Sequence, residues 1–396
     1  MTIAVILVAL SFIDAPTRDS HPVADMERIV VDDRFPGGYQ VELADVDGDR
    51  KLDIVALGNG TCAWFRNPDW KKRIVSGPDR SPGIISTAAA DIDGDGRAEI
   101  AIAYEFAMNQ PRKGKLMLAK TDDPIAGTWS FREIAEIGSI HRLRWGDVDG
   151  DRRLDLVVAP IFGVDASPPE FDQAPAILRV YRNGLGTEPE VVSKHLIMHA
   201  IGVVDLEGDG RSEVLTASMD GATRLDLDAS TGRFRSTRIS AGADASAGRR
   251  AGASEIHVGR FRDGRRFVAT IDPWHGSEVS IRELGPDALP DPSRPGERVV
   301  LDTTLDDGHA LCVADGDGDG DDEVFAGHRG KDHRVSRYDV EGRKWTRTVI
   351  DPAVAAQDLR AADLDGDGRP EVVAIGGKTA NIVIYRFPAR SNRDSK

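Results

Sequence analysis

Cysteine is almost missing from this chain. Cys62 and Cys312 are the only two in 396 residues, which excludes a disulfide framework and any cysteine-rich metal site. Both sit in strand-like runs of separate repeats, so two buried free thiols are expected rather than one bond. Long apolar runs are missing too: none reaches the roughly 18 residues of a membrane-spanning helix, and no span is expected. Bases are the minority charge, 51 Lys and Arg against 66 Asp and Glu, for a net charge of −15 with histidine neutral. So acidic a surface repels phosphate backbones and argues against nucleic acid as a partner. No Ser-His-Asp order, phosphate loop or dinucleotide fingerprint occurs, because the Gly-rich phrases are all acidic turns. What is present is 40% apolar and 30% charged residues, enough for a sizeable core, with 41 Gly and 21 Pro that point to many turns rather than long helices.

One phrase recurs. It reads Asp45-Val-Asp-Gly-Asp49, Asp91-Ile-Asp-Gly-Asp-Gly96, Asp147-Val-Asp-Gly-Asp151, Asp205-Leu-Glu-Gly-Asp-Gly210, Asp315-Gly-Asp-Gly-Asp-Gly320 and Asp363-Leu-Asp-Gly-Asp-Gly368, with a degenerate copy at Arg260-Phe-Arg-Asp-Gly264. Self-similarity at a period of about 50 residues reads as propeller blades. A short alternating run leads into each loop, and a β-branched run such as Leu156-Val-Val-Ala159 follows it; such runs are strands. Counting fourth strands exposes the closure. The last repeat ends at its third strand, Asn381 to Phe387, while a spare strand, Glu27 to Asp32, precedes the first repeat. The expected fold is all-β: a seven-bladed β-propeller over residues 25–388 whose N-terminal strand completes the last blade, leaving no open edge. Residues 389–396 read as a disordered tail. The apolar run Thr2 to Phe12, followed by the small residues Ala15 and Ala24, reads as a signal peptide over residues 1–24 and implies a secreted or periplasmic protein. No Lys or Arg precedes it, so a loose leader is the other reading.

The acidic loops suit a hard cation. Three acids at alternate positions, a Gly for the turn and a fourth acid eight residues after the first form an oxygen cage of the kind Ca²⁺ takes. The expected ligand sets are Asp45, Asp47, Asp49 and Asp53; Asp91, Asp93, Asp95 and Glu99; Asp147, Asp149, Asp151 and Asp155; Asp205, Glu207, Asp209 and Glu213; Asp315, Asp317, Asp319 and Glu323; and Asp363, Asp365, Asp367 and Glu371. The case is best for the loops at Asp91, Asp315 and Asp363. It is weaker at Asp45 and Asp147, where Arg50 and Arg152 replace the second Gly, and the fifth blade, with Arg260 and Arg262 in place of acids, is expected to bind none. The twelfth positions are apolar and the flanks are strands, so an EF-hand is excluded. A solvated turn in which Asp caps its own backbone is the alternative.

These phrases resemble the FG-GAP/VCBS repeat of integrin-α-like propellers, which implies the fold but little about function. A narrower resemblance lies in His141-Arg-Leu-Arg-Trp-Gly-Asp, Ile271-Asp-Pro-Trp-His-Gly276, Gly308-His-Ala-Leu311, the run to Gly330 and the closing Asp358 to Glu371. These look like the propeller of aldos-2-ulose dehydratase/isomerase, enzymes that remove water from keto-sugars with a metal and histidines. In the fungal members cupin-type domains follow the propeller. This sequence stops at Lys396, a departure from that pattern that puts the isomerase half in doubt.

The histidines support a site independently. The residue six before each first Asp opens the innermost strand at the channel mouth. Those slots hold Tyr39, Ile85, His141, His199, Ser254, His309 and Gln357: three of seven are His, although only nine of 396 residues are. The second strands end on the same side, bringing Glu105, Trp274, His275, His328, Arg329 and Lys378 to that mouth. The expectation is a polar funnel. In it His141, His199, His309, His275 and Glu105 carry the chemistry as base or as ligands for Zn²⁺ or another divalent transition metal. Trp274, Arg329, His328, Lys378 and Tyr39 would hold a carbohydrate, with Trp274 as the sugar platform. Long insertions at Gly163 to Ala176 and Ala241 to Ser254 fall at the same mouth and read as binding loops, whereas the Pro-rich stretch Gly285 to Gly296 faces the other way. Two functions compete: a metal-assisted carbon–oxygen lyase on a keto-sugar, and a non-catalytic, integrin-like propeller that binds carbohydrate or protein.

Overall fold

A computed structural model describes residues 26–390 apart from 187, 246–249, 286–297 and 343. The candidate leader, most of the tail and the Pro-rich stretch lie outside the described residues. Seven four-stranded antiparallel sheets stand in a ring, and among the described residues there is no helix long and apolar enough to cross a membrane. Blades one to seven span residues 38–76, 86–136, 140–195, 198–240, 255–302, 308–351 and 356–386, and the strand Glu27–Asp32 is the fourth of blade seven.

Position in the blade sets composition. The second strands of six blades, for example Asp155–Pro160 and Glu371–Gly376, are buried at every residue. Each is covered on both faces by neighbouring blades, which is why they read as unbroken Val/Ile/Ala runs rather than alternating ones. The outer strands, such as Ser130–Glu136, are largely wet. The core is correspondingly divided into wedges, one per blade interface. Phe261 and Phe267 of blade five pack with Trp345 of blade six, and Val41 and Phe65 of blade one pack with Val373 and Ile384 of blade seven. At about 1.5–3 kcal/mol for each large buried apolar side chain, these wedges carry most of the favourable free energy. Cys62 and Cys312 belong to two such wedges as free, buried thiols.

Closure follows the strand count. Glu27 pairs with Arg386, Ile29 with Ile384 and Val30 with Val383 in antiparallel register. Glu27 is 2.7 Å from Arg386 and Arg28 is 2.7 Å from Asp351 of blade six, so ion pairs fasten the strand where it begins. Arg390 still packs on the chain, donating its N–H to the Asp317 carbonyl.

Deleting residues 1–33 should open the ring between blades seven and one. Five ladder partners at about 0.5–1.5 kcal/mol each predict a loss of several kcal/mol and an exposed edge. Thermal melting and light scattering of the truncated protein check this; a melt matching the full chain contradicts the closure.

Candidate functional site

A single backbone device aims the slot residues. In blade three Ile140 pairs with Pro160 and Arg142 with Ala159, which leaves His141 unpaired as a β-bulge. The same shift leaves out Tyr39, His199, His309 and Gln357 in their blades. A bulge re-aims one side chain and frees its backbone groups from the ladder. The bulge carbonyls of His199 and Gln357, and that of Ser254 just before its strand, are used by the blade before. His141 Nδ1 is 3.2 Å from the His199 carbonyl, His199 Nδ1 is 2.8 Å from the Ser254 carbonyl, and His309 Nδ1 is 2.7 Å from the Gln357 carbonyl. A carbonyl only accepts, so each of these rings carries its proton on Nδ1 and presents an Nε2 lone pair.

Those of His199 and His309 converge with a nitrogen of a fourth ring. His275 sits at φ 50°, in the left-handed region, just past the second strand of blade five. Gly276 makes its turn possible, because a Cβ there would lie 2.0 Å from the Asp272 carbonyl oxygen. The turn brings His275 Nε2 to 3.0 Å from His199 Nε2. One ring nitrogen from each of His199, His275 and His309 lies within 4.8 Å of the other two. His275 Nδ1 is 3.1 Å from Asp307 and 3.0 Å from an Arg329 nitrogen, and Arg329 also donates to Asp307 at 2.7 Å and to the Gln357 side-chain oxygen at 2.9 Å. His141 stands apart from the trio. Its Nε2 accepts from the Tyr39 hydroxyl at 3.1 Å, with an Arg142 nitrogen at 3.2 Å from that Nε2 and 3.4 Å from the phenol oxygen.

Burial sets the electrostatics. It drives the pKa of His141, His199 and His309 well below the ordinary range, with Arg142 adding to the effect on His141 and His199 and Arg329 on His309. His275 is lowered to about 3 by burial, against the opposing pull of Asp307. All four rings are therefore neutral at pH 7, the state that ligates metal. Further down the channel the inner strands supply an ion-pair plug. Arg144 is 2.9 Å from Glu42, Arg360 is 3.3 Å from Glu42 and 2.8 Å from Asp358, and burial lowers Arg144 to about 10. Glu255 lies 3.1 Å from His199 Nδ1, and burial raises its pKa.

Several expectations need correction. The mouth is not an open funnel: His199 and His309 are each 1% exposed, because the rings pack edge to face with centroids 5.1 Å apart. Trp274 is not a free platform. One face stacks on His275 at 4.1 Å and the other lies under Arg250 at 4.8 Å. Arg250 also donates to the Glu170 carbonyl at 2.8 Å, so the two insertions meet over this side of the mouth. Glu105 turns to Lys115 at 2.9 Å rather than to a histidine. His328 is held by the Asp306 carbonyl at 3.1 Å and Arg334 at 3.0 Å, outside the trio, and Lys378 is exposed. His141 belongs with Tyr39 and Arg142 rather than with the converging nitrogens. Arg142, Glu255 and Asp307 were not foreseen. Asp307 adjoins the Gly308-His309 phrase, which was the available signal.

Two family models match parts of this chain. Residues 45–102 and 315–374 match the family described as FG-GAP-like repeat, and residues 116–283 match aldos-2-ulose dehydratase, beta-propeller domain. No curated protein matches the sequence. A chain of the mitotic checkpoint complex is 11% identical and aligns over 98% of this chain and 100% of its own, with a TM-score of 0.55. The β-propeller domain of Myceliophteria thermophila Cps50 (Swd1) is 12% identical over 91% of this chain and 98% of its own, with a TM-score of 0.54. The extracellular domain of a hybrid two component system from B. thetaiotaomicron is 11% identical over 89% of this chain and 39% of its own, with a TM-score of 0.52. At such identities the likeness is one of fold alone.

The buried imidazoles predict an acid-labile protein. Their folded pKa values lie below the unfolded value of about 6.5, so the unfolded chain binds more protons at mildly acidic pH. Their contribution is intact above pH 6.5 and is lost as pH falls toward 3. Melting of metal-free protein between pH 7.5 and 4 should show a steep decline, flattened in a His275→Gln variant; equal slopes contradict the assignment.

Proposed function

We propose that this propeller of FG-GAP-like repeats, related to the propeller domain of aldos-2-ulose dehydratase, is a metal-dependent carbon–oxygen lyase that removes water from a keto-sugar. The observation that carries the reading is the convergence of three imidazole nitrogens, two of which, on His199 and His309, are presented as lone pairs because Nδ1 donates to a backbone carbonyl. The donor set fits a divalent transition ion. His309 Nε2 is buried without a hydrogen-bond partner. When His275 Nδ1 donates to Asp307, the Nε2 atoms of His275 and His199 face each other at 3.0 Å as two lone pairs, an arrangement that a shared cation relieves.

His199, His275 and His309 would hold such an ion, with Asp307 and Arg329 orienting His275. When bound, it would polarise the substrate carbonyl and acidify the adjacent C–H. The remaining work belongs to Tyr39, His141 and Arg142. His141 Nδ1 is committed to a carbonyl, so its Nε2 is the acceptor for the Tyr39 proton, with the Arg142 guanidinium beside the phenol oxygen. In one concerted step Tyr39 Oη would accept the proton from carbon while its own passes by way of His141 Nε2 to the departing hydroxyl; the C–H electron pair becomes the new C=C bond, the C–O bond breaks, the hydroxyl leaves as water, and no imidazolium rests in the buried site. Sealing of the cluster favours a second reading, in which the ion is structural and ties blades four, five and six beneath a carbohydrate-binding surface.

Elemental analysis should find one transition metal per chain, lost in His309→Ala. A Tyr39→Phe variant should retain the metal while dehydration of keto-sugars, followed by enone absorbance, falls about 10²–10⁴-fold. Metal retained with no turnover in the unaltered protein would favour the structural reading. Absence of a stoichiometric transition metal would sink both.

A further inference from the structure

The acidic loops hold more than carboxylates. In each of the six, a basic side chain from the third strand of the same blade, or from the residue just past it, reaches the acid at the third loop position. Arg66 lies 2.6 Å from Asp47, Arg182 3.2 Å from Asp149, Arg224 2.6 Å from Glu207 and Arg386 2.9 Å from Asp365, while Lys120 pairs with Asp93 and Arg337 with Asp317. In five of the six the same basic group also approaches the ninth-position acid. Lys120 is 2.9 Å from Glu99, Arg182 3.4 Å from Asp155, Arg224 3.5 Å from Glu213, Arg337 3.1 Å from Glu323 and Arg386 3.2 Å from Glu371.

The other two acids are committed to the backbone. Asp91 accepts the N–H groups of Gly94 and Gly96 at 2.7 and 2.9 Å, and Asp363 does the same with Gly366 and Gly368. The fifth-position acid accepts the N–H two residues on, as Asp95 does from Arg97 at 2.9 Å. Ca²⁺ needs six to eight oxygens at 2.3–2.6 Å. One oxygen of each third-position acid already faces a guanidinium or ammonium, while in blade six Asp317 Oδ1 and Glu323 Oε1 stay buried without a hydrogen-bond partner.

From this we infer that the loops are neutralised by the chain's own third-strand cations, not by Ca²⁺. The basic group is a tethered competitor at high effective concentration, so Ca²⁺ enters only by expelling it. The fifth blade extends the pattern: with Arg260 and Arg262 in place of the first and third acids, it sends Arg262 to Asp321 and, at 3.1 Å, to Asp319 of blade six.

Thermal melts and calorimetric titration with CaCl₂ test this on the full chain. The unaltered protein should melt within about 1 °C in EGTA and in millimolar Ca²⁺, where ligand-linked stabilisation would shift the midpoint by several degrees. Arg337→Gln should bind Ca²⁺ at least tenfold more tightly and acquire a Ca²⁺-dependent melt, while Arg337→Lys should not. Lys120→Gln, at a more exposed loop, provides the same readout if Arg337→Gln fails to fold. Stoichiometric Ca²⁺ in the unaltered protein with a chelator-sensitive melt overturns the inference. So does a failure of both Gln variants to gain Ca²⁺ affinity.

Discussion

Everything at the mouth depends on one seam. Seven sheets can point a repeated position at a common axis only when the ring is shut, and the ring is shut by Glu27–Asp32 lying against Asn381–Arg386. A closed ring puts equivalent residues of every blade at one height. It also lets each second strand be covered from both sides, so the apolar wedges between blades are nearly interchangeable. The outer strands are free to be polar because little rests on them beyond the ladder.

The fold was legible because its signals are local. The repeated acidic turn, the β-branched run after it and the surplus strand at Glu27 each lie within a few residues of sequence, and together they imply both blade number and closure. The slot histidines were legible for the same reason: Tyr39, His141, His199, His309 and Gln357 occupy one register, and the ring turns register into proximity. What escaped depends on reach between blades. The left-handed turn at His275 decides whether its ring meets His199, and no spacing rule contains it. Trp274 looked available until Arg250, from the insertion that leads into the same blade, covered its ring. The basic residues in the acidic loops were missed because they follow their loops at no constant interval: Lys120 and Arg386 end their strands, whereas Arg224 lies inside one.

The two ends of the channel use charge in opposite ways. On the loop side, carboxylates are numerous and each group keeps a cation close, so the burial that raises Glu323 to about 9 and Asp53 to about 7 acts on residues already surrounded by donors. On the mouth side, guanidinium groups surround imidazoles that burial keeps uncharged. Arg142 and Arg329 flank the cluster and keep their charge at any working pH.

The contacts between bulge carbonyls and imidazoles have a handedness. His141 points to blade four, His199 to blade five and His309 to blade seven, so every link runs the same way round as the chain itself. Information in such a circuit is one-way. Rotating or replacing the His199 ring disturbs the tautomer lock it makes with Ser254, while its own carbonyl still serves His141. Because Ser254 has no ring to pass the link onward and Ile85 offers none, the circuit is an arc rather than a loop, with a beginning at His141 and a break after Ser254. An arc has ends that differ, and a symmetric architecture thereby acquires a direction.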